Sequence, residues 1–468
     1  MANSQSRKQD SNSKYRSVTL IAAGAAVGGL LAGTDTSTLN GGIVGVRTTL
    51  GLDSGTVGQV SAIALLGGAV GAWFAGPLAS RHGRNRVMLI AGLLIGLGWV
   101  GVALSGGVLP LVLSRIAVGL GLGAASAVVP GYITEIAPQA IRGRLGTFWQ
   151  ISIVLGQLLA LIGSYLITLW AGSESAPLFF GAAAWRWMFG FAVLLAVAYV
   201  VIVLRLPQTP ADLVRQGDVP GAREVLTRVG GEGEASRGRL EEIQKTQAEQ
   251  TGERSLKDLR GDALGLKPIV WVGIGLAAFQ QLVGIQIVKV YSNTLWQAVG
   301  FTTDQAFLTS IITVGVSVVA AFIAIGIIDR VGRRAMLGVG SVFLVLTLGT
   351  LAWVFGNAGG GSEGPVLTQT SATLALVAVG VYSLAFGITW GPVMWVMLNE
   401  LFDGNLRTTA VAVCTAVNWV GNWAVVRTFP PLASLGLGFA YGLFTVFTVL
   451  ALLFVWRVLP ETRESPAA

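Results

Sequence analysis

Cysteine and histidine are almost missing from this chain of 468 residues, which has one of each, Cys414 and His82. A lone cysteine excludes an intrachain disulfide, and a lone histidine leaves little from which to build a metal site or a histidine-based triad. No metal and no cofactor are expected. An enzyme is not expected either, because no credible nucleophile–base pair stands out. Charge is scarce as well: Asp, Glu, Lys and Arg make up 12% of the residues, about half of what a soluble globular domain carries. Hydrophobic residues make up 53% and the mean hydropathy is +0.70, so the chain is expected to be an integral membrane protein. The apolar–polar alternation that a membrane-spanning strand needs is not visible. Helices are expected instead, and 64 glycines, many inside apolar runs, suit their close packing. The net charge of +8 does not point to nucleic acid, because the basic residues cluster in short loops between apolar runs and not along one polar face.

Predominantly apolar runs of about 20 residues, the length that crosses about 30 Å of hydrocarbon, recur twelve times. They cover residues 18–45, 56–79, 87–106, 109–136, 144–170, 185–206, 268–298, 305–329, 335–357, 371–400, 407–432 and 436–459. Loops after even-numbered spans carry Arg81, His82, Arg84 and Arg86, then Arg142 and Arg144, then Arg330, Arg333 and Arg334, then Arg407. The opposite loops are nearly bare, with Arg47, Asp304 and Glu363 among their few charges. The positive-inside rule then puts both termini in the cytoplasm. Residues 1–17 read as a polar cytoplasmic tail before a first helix that is retained, being too long and too polar at its centre for a signal peptide. Residues 18–206 form one six-helix bundle and 268–459 a second, and 460–468 form a short cytoplasmic tail. The insert 207–267 holds two amphipathic pieces, Ala211–Val229 and Ala235–Gln247, parted by GGEGE. A cytoplasmic helical linker is expected there, with a disordered tether as the competing reading.

Three ionisable groups fall clearly inside apolar runs: Asp35 in VGGLLAGTDTSTLNGGI, Arg115 in LVLSRIAVGLGLG and Lys289 in GIQIVKVYSN. A charged side chain at bilayer depth costs roughly 2.5–3.5 kcal/mol on insertion scales, so an intramembrane Asp normally faces a polar cavity or a partner. A guanidinium nearby favours the ionised carboxylate, whereas loss of water favours the neutral acid. The protonation of Asp35 can therefore follow its distance from Arg115 and from water, which makes a switch. Lys289 either faces the cavity, where it would bind an anionic substrate or a neighbouring acid, or snorkels to the headgroups. Arg427, near the end of span eleven, reads as a snorkelling residue.

The chain also repeats itself. GPLASRHGRNRVML from Gly76 returns as GIIDRVGRRAML from Gly326, which sets Gly83 and Gly332 249 residues apart. Glu135 with Arg142 returns as Glu400 with Arg407, and Pro207 returns as Pro460. Two parallel six-helix halves are the architecture in which bundles rock about a site at the bilayer midplane. Polar groups for such a site lie inside the helices. Gln150 and Gln157, seven apart, share one face of span five. Gln280, Gln281 and Gln286 give span seven a polar face, with Gly284 placed to break it. Amides offer paired donors and an acceptor to the hydroxyls of a polar solute, while Trp390, Trp395 and Trp419 offer flat apolar faces. The other use of such amides is to bond helices together.

Several stretches then coincide: GTDTSTLNGG around Asp35, the two glycine–arginine loops, EIAPQAIRGRLG, FQQLVGI, TWGPVMW, NELFDGNLR and LPET. In this order they resemble the sugar porter family of the major facilitator superfamily, from about residue 18 to 464. The resemblance implies an all-α integral membrane protein of the facilitator fold, with twelve transmembrane helices in two six-helix bundles and a cytoplasmic helical linker. It implies a secondary active transporter that carries a monosaccharide or polyol by alternating access in the bacterial inner membrane. A lipid bilayer and a small-molecule substrate are its expected partners, with no obligate protein partner and a monomer as the working unit.

Residue roles follow from the same resemblance. Gln150, Gln157, Gln280, Gln281, Gln286, Trp390, Asn418 and Trp419 fall on the family's sugar-contacting positions, with Gln286 and Asn418 exchanging the commoner Asn and Gln. Arg84, Glu135, Arg142, Arg333, Glu400 and Arg407 match its cytoplasmic latch, although these arginines also serve topology. Ser80, Asn85 and LPQTPAD depart from the family pattern, the last lacking a Glu and an Arg, so a looser latch is expected in the first half. At the outer gate the family carries an apolar or aromatic residue just before a pair of tyrosines, where this chain has Lys289 and, of the pair, only Tyr291. Asp35 and Arg115 match the carboxylate and arginine of proton-coupled members, so proton symport through Asp35 is expected. The alternatives are a facilitative uniporter, a carrier of an anionic sugar acid held by Lys289, and a sugar sensor that binds without transporting.

Overall fold

The computed structural model describes residues 2–138, 141, 145–230, 234–249, 259–261, 264–290, 295–297, 300–361, 364–402 and 404–462. Among them twelve helical spans are long and apolar enough to cross a membrane, matching the twelve apolar runs. The first half contains α1 (Ala2–Leu50), α2 (Ser54–His82), α3 (Arg84–Leu104), α4 (Val108–Ile136), α5 (Phe148–Ala171) and α6 (Ala184–Arg205). The linker contains α7 (Pro210–Arg215), α8 (Val219–Gly230) and α9 (Glu234–Glu249). The second half contains α10 (Pro268–Leu282), α11 (Ile285–Val290), α12 (Thr303–Val331), α13 (Arg333–Gly356), α14 (Gln369–Ile388), α15 (Trp390–Glu400), α16 (Gly404–Ser434) and α17 (Leu437–Arg457). A small hairpin, β1 (Gly359–Gly361) antiparallel to β2 (Gly364–Val366), lies between α13 and α14.

Three boundaries differ from the sequence expectation, each for a local reason, and the break expected at Gly284 forms. Helix α1 starts at Ala2 and not after a tail, because no Gly or Pro interrupts residues 2–17; its apolar part is Tyr15–Leu50. The seventh span is two helices. Gly284, at φ 89°, separates α10 from α11 in a conformation that L side chains rarely adopt. The tenth span, expected as one helix, breaks at Thr389 (φ −113°, ψ −87°), since Pro392 has no N–H to give the carbonyl of Ile388. The linker piece expected as Ala211–Val229 divides at Gly217 (φ 83°), after which the Asp218 carboxylate accepts the N–H of Gly221 at 2.9 Å and starts α8.

The linker is a docked helical layer. Ala222, Leu226 and Leu240 share a core, and Arg239 donates to the carbonyl of Glu135 at 2.9 Å. With twelve spans, both termini and the linker lie at one end, the terminal end, and α1 finishes at the opposite end. Each half has its own apolar core, built around Trp99, Trp185 and Tyr199 in the first and Tyr382, Trp390 and Phe444 in the second. The halves meet where α2 packs on α16 and α5 on α12. Contacts between them include Gly58 against Pro430 and the Tyr165 ring 5.7 Å from Phe307 toward the opposite end, and Val154, Leu161 and Val314 deeper in.

Candidate transport and coupling site

Asp35 and Arg115 reach each other because glycines let backbones touch. A Cβ on Gly33 of α1 would stand 1.8 Å from the Ile153 carbonyl oxygen on α5, and one on Gly156 would stand 2.0 Å from that of Leu30. Gly119 and Gly123 on α4 would meet the carbonyls of Ala64 and Gly68 on α2 at 1.9 Å. Only hydrogen fits at these crossings. Asp35 lies two residues past Gly33, and Arg115 lies one turn before Gly119, so both charges ride on closely packed backbones. Arg115 Nη1 donates to Asp35 Oδ1 at 2.5 Å, and both residues are buried. Trp99 on α3 donates its indole N–H to the same oxygen at 2.9 Å. Oδ2 engages no described donor, and Arg115 Nε is buried without a partner.

The amides of the second half form one cluster around the break at Gly284. Gln281 Nε2 donates to Gln280 Oε1 at 2.8 Å and to Asn418 Oδ1 at 3.1 Å, and Gln286 Nε2 donates to Gln281 Oε1 at 3.2 Å. Asn418 Nδ2 donates to Gln280 Oε1 at 2.7 Å and to the Ala277 carbonyl at 3.0 Å. Four of the eight predicted sugar contacts are therefore joined across α10, α11 and α16. Gln157, buried beside α1, leaves its Oε1 without a partner. Gln150 lies half-buried two turns along the same helix. The two tryptophans divide. Trp390 is fully buried and spends its N–H on Ser341 at 2.9 Å, while Trp419 crosses to the first half, donating to Ser126 at 3.3 Å and packing on Gly68. Lys289 lies half-buried on α11, one turn beyond Gln286; Arg142, Tyr291 and the side chain of Arg407 lie outside the described residues.

At the terminal end the expected pairs form, each within its own half. Arg84 bonds Glu135, and Arg333 forks onto both oxygens of Glu400 at 2.9 and 3.2 Å. In the first half, where a looser latch is expected, a further acid joins the pair. Asp212, the aspartate of LPQTPAD, accepts from Arg84 at its main-chain N–H (2.8 Å) and its guanidinium (3.2 Å), and from Arg215 at 2.6 Å. Glu461 does the same in the second half, accepting the Arg333 N–H at 2.9 Å. Asp212 and Glu461 stand 249 residues apart, as Gly83 and Gly332 do, so the repeat offset was the signal that could have found Asp212.

A family model described as sugar (and other) transporter matches residues 3–467. The chain belongs to this family. Among relatives of this sugar transporter, a glucose transport protein of Synechocystis is 40% identical over 98% of both chains. An arabinose-proton symporter of Bacillus subtilis is 32% identical over 96% of this chain and 93% of its own. A D-xylose-proton symporter of Escherichia coli is 31% identical over 97% and 94%. A solved structure of a proton:xylose symporter of the major facilitator superfamily, bound to 6-bromo-6-deoxy-D-glucose, superposes with a TM-score of 0.81 at 29% identity, covering 97% of both chains. A partially occluded inward-open structure of the E. coli xylose transporter gives 0.81 at 28% identity over 97% of this chain and 100% of that one. The protein is a multi-pass membrane transporter and not an enzyme.

Two residues of this sugar transporter carry no signal in the sequence. Trp99 reads as ordinary packing inside an apolar run. Glu174, between α5 and α6, is buried and accepts the N–H of Gly45 at 3.0 Å. Burial pushes its carboxyl from an ordinary 4.5 up to about 7, partly offset by that N–H. A raised value ties stability to the neutral acid, so this contribution is full below about pH 4.5 and lost as pH rises through about 7. Glu174→Gln keeps the acceptor and removes the charge. Its melting temperature at pH 8 should exceed the wild type's by about 5 °C, with the two converging at pH 5. Parallel melting curves across that range would count against this assignment.

Proposed function

We propose that this transporter imports a monosaccharide together with a proton, with Asp35 as the proton site. The buried Asp35–Arg115 pair at 2.5 Å carries the reading, because a lone acid and base inside a bundle exchange partners at lower cost than they face lipid. An outside proton neutralises Asp35 and frees Arg115; sugar settles on the amide cluster; the bundles rock; Arg115 returns and expels the proton inside. The arginines at the terminal end support a cytoplasmic placement of both termini. Membrane potential adds about 2.3 kcal/mol per charge per 100 mV to accumulation. Relatives named for glucose, arabinose and xylose support a neutral aldose as cargo.

The test is uptake of labelled glucose, xylose, arabinose and inositol into vesicles, with and without an inward proton gradient. Gradient-driven accumulation of at least one aldose is expected. Equilibration without accumulation under any gradient would make the protein a uniporter. Competition by sugar acids but by no neutral sugar would instead make Lys289 an anion ligand, and Lys289→Met would abolish that competition.

A further inference from the structure

Trp99 belongs to the proton site as well as to the core. Its ring is wholly enclosed, and its N–H points at the carboxylate oxygen that Arg115 also uses. The two donors differ in a way that matters. An indole N–H is a neutral donor that neither titrates nor accepts, whereas the guanidinium is a charge whose bond strength depends on the charge it meets. When Asp35 takes up a proton, the Arg115 contact loses its ion-pair attraction, whereas the Trp99 contact weakens but survives as a bond between neutral groups. Oδ1 is already filled by two donors and Oδ2 by none that is described, so Oδ2 is the atom open to a proton.

We infer that Trp99 is a positioning residue of the proton site, holding Oδ1 of Asp35 in both protonation states so that the proton enters and leaves on Oδ2 and only Arg115 changes partner. The balance is simple: one O–H bond forms on Oδ2, the carboxylate becomes a neutral carboxyl, and Oδ1 becomes the carbonyl oxygen that Trp99 still holds. This rests on Asp35 being the coupling acid. Groups that face Asp35 are few. Arg115 comes from α4 and Trp99 from α3. Gln157 of α5 lies at Gly33, about 200° around α1 from Asp35. Tyr199 on α6 stands at Gly28, two turns nearer the terminal end, and Arg186 of α6 bonds the Ala103 carbonyl at the opposite end. Lys289 lies on α11, which also packs on α1. The charged residues of α2, α3 and α8 cluster at the terminal end, and Glu174 lies at the other.

Two variants remove the N–H: Trp99→Phe, which also removes one ring from a wholly enclosed site, and replacement of Trp99 by benzothienylalanine, which keeps the bicyclic shape and volume with sulfur in place of N–H. Three readouts are compared in vesicles and purified protein: sugar KM, the pH profile of gradient-driven uptake, and the infrared C=O band of the protonated carboxyl, assigned by its loss in Asp35→Asn. The expected result is an almost unchanged KM, a carboxyl band moved to higher wavenumber, and a pH profile moved alkaline by about one unit, a roughly tenfold change in proton affinity. The last follows because a donor to a carboxylate is worth more than a donor to an acid. If Asp35→Asn abolishes accumulation while both Trp99 variants leave band and profile in place, Trp99 is packing only and the inference is wrong. If Asp35→Asn still accumulates sugar, the coupling reading itself fails and takes the inference with it. Should Trp99→Phe not fold, the benzothienyl variant decides.

Discussion

Asp35→Asn protein should exchange labelled sugar across a vesicle membrane yet accumulate none when an inward proton gradient is imposed. Asn matches Asp in shape and offers the same Oδ1 acceptor to Trp99, so the crossing of α1 with α3 and α4 survives. It cannot take and release a proton, so the cycle loses its coupling. The substitution also strands the Arg115 cation, whose Nε already lacks a partner, in a buried site. Removing one member of a buried pair typically costs about 3–5 kcal/mol, whereas replacing both is often neutral. The single variant should therefore melt well below the wild type, and Asp35→Asn with Arg115→Gln should recover most of that loss while still failing to accumulate sugar. Recovered accumulation in the double variant would place coupling elsewhere.

Gly33→Ala should be nearly as damaging, although it adds only a methyl group. The new Cβ would lie 1.8 Å from the Ile153 carbonyl oxygen and 2.8 Å from the N of Gln157, and both are backbone atoms that no rotamer change can move. Helices α1 and α5 must separate. Overpacking of this kind costs about 3 kcal/mol or more, and here it also shifts Asp35, two residues on, against Arg115. Uptake should fall at least tenfold (a loss worth about 1.4 kcal/mol or more) along with a lower melting temperature. Gly338→Ala and Gly380→Ala, where nothing lies within 4 Å, should behave as wild type. Equal behaviour of all three variants would mean that close approach of α1 and α5 does not set the site.

The same contrast separates what could be read in the chain from what could not. Scarce charge, the twelve apolar runs and the doubled glycine–arginine loops were enough for the fold, because a bilayer demands long apolar helices and leaves few other ways to satisfy a backbone. Asp35 and Arg115 stood out for a related reason: an ion inside an apolar run is costly enough to need an explanation. The Gly284 break was legible from a glycine between two glutamines. The Thr389 break was written in TWGP but needed Pro392 to be placed one turn past Ile388.

By itself, then, the sequence determined the number of spans, the two-half repeat, the acid and base inside it and the amides of the second half, since each is a matter of residue type and spacing along one chain. Only the tertiary structure decided that Trp99 shares an oxygen with Arg115, that Asp212 completes the charged network of the first half, that Trp419 bridges the halves, and that Glu174 is buried. Those facts depend on which residues from distant turns meet at contact distance. That is set by side-chain packing and by glycine-permitted backbone crossings, neither of which leaves a period in the sequence.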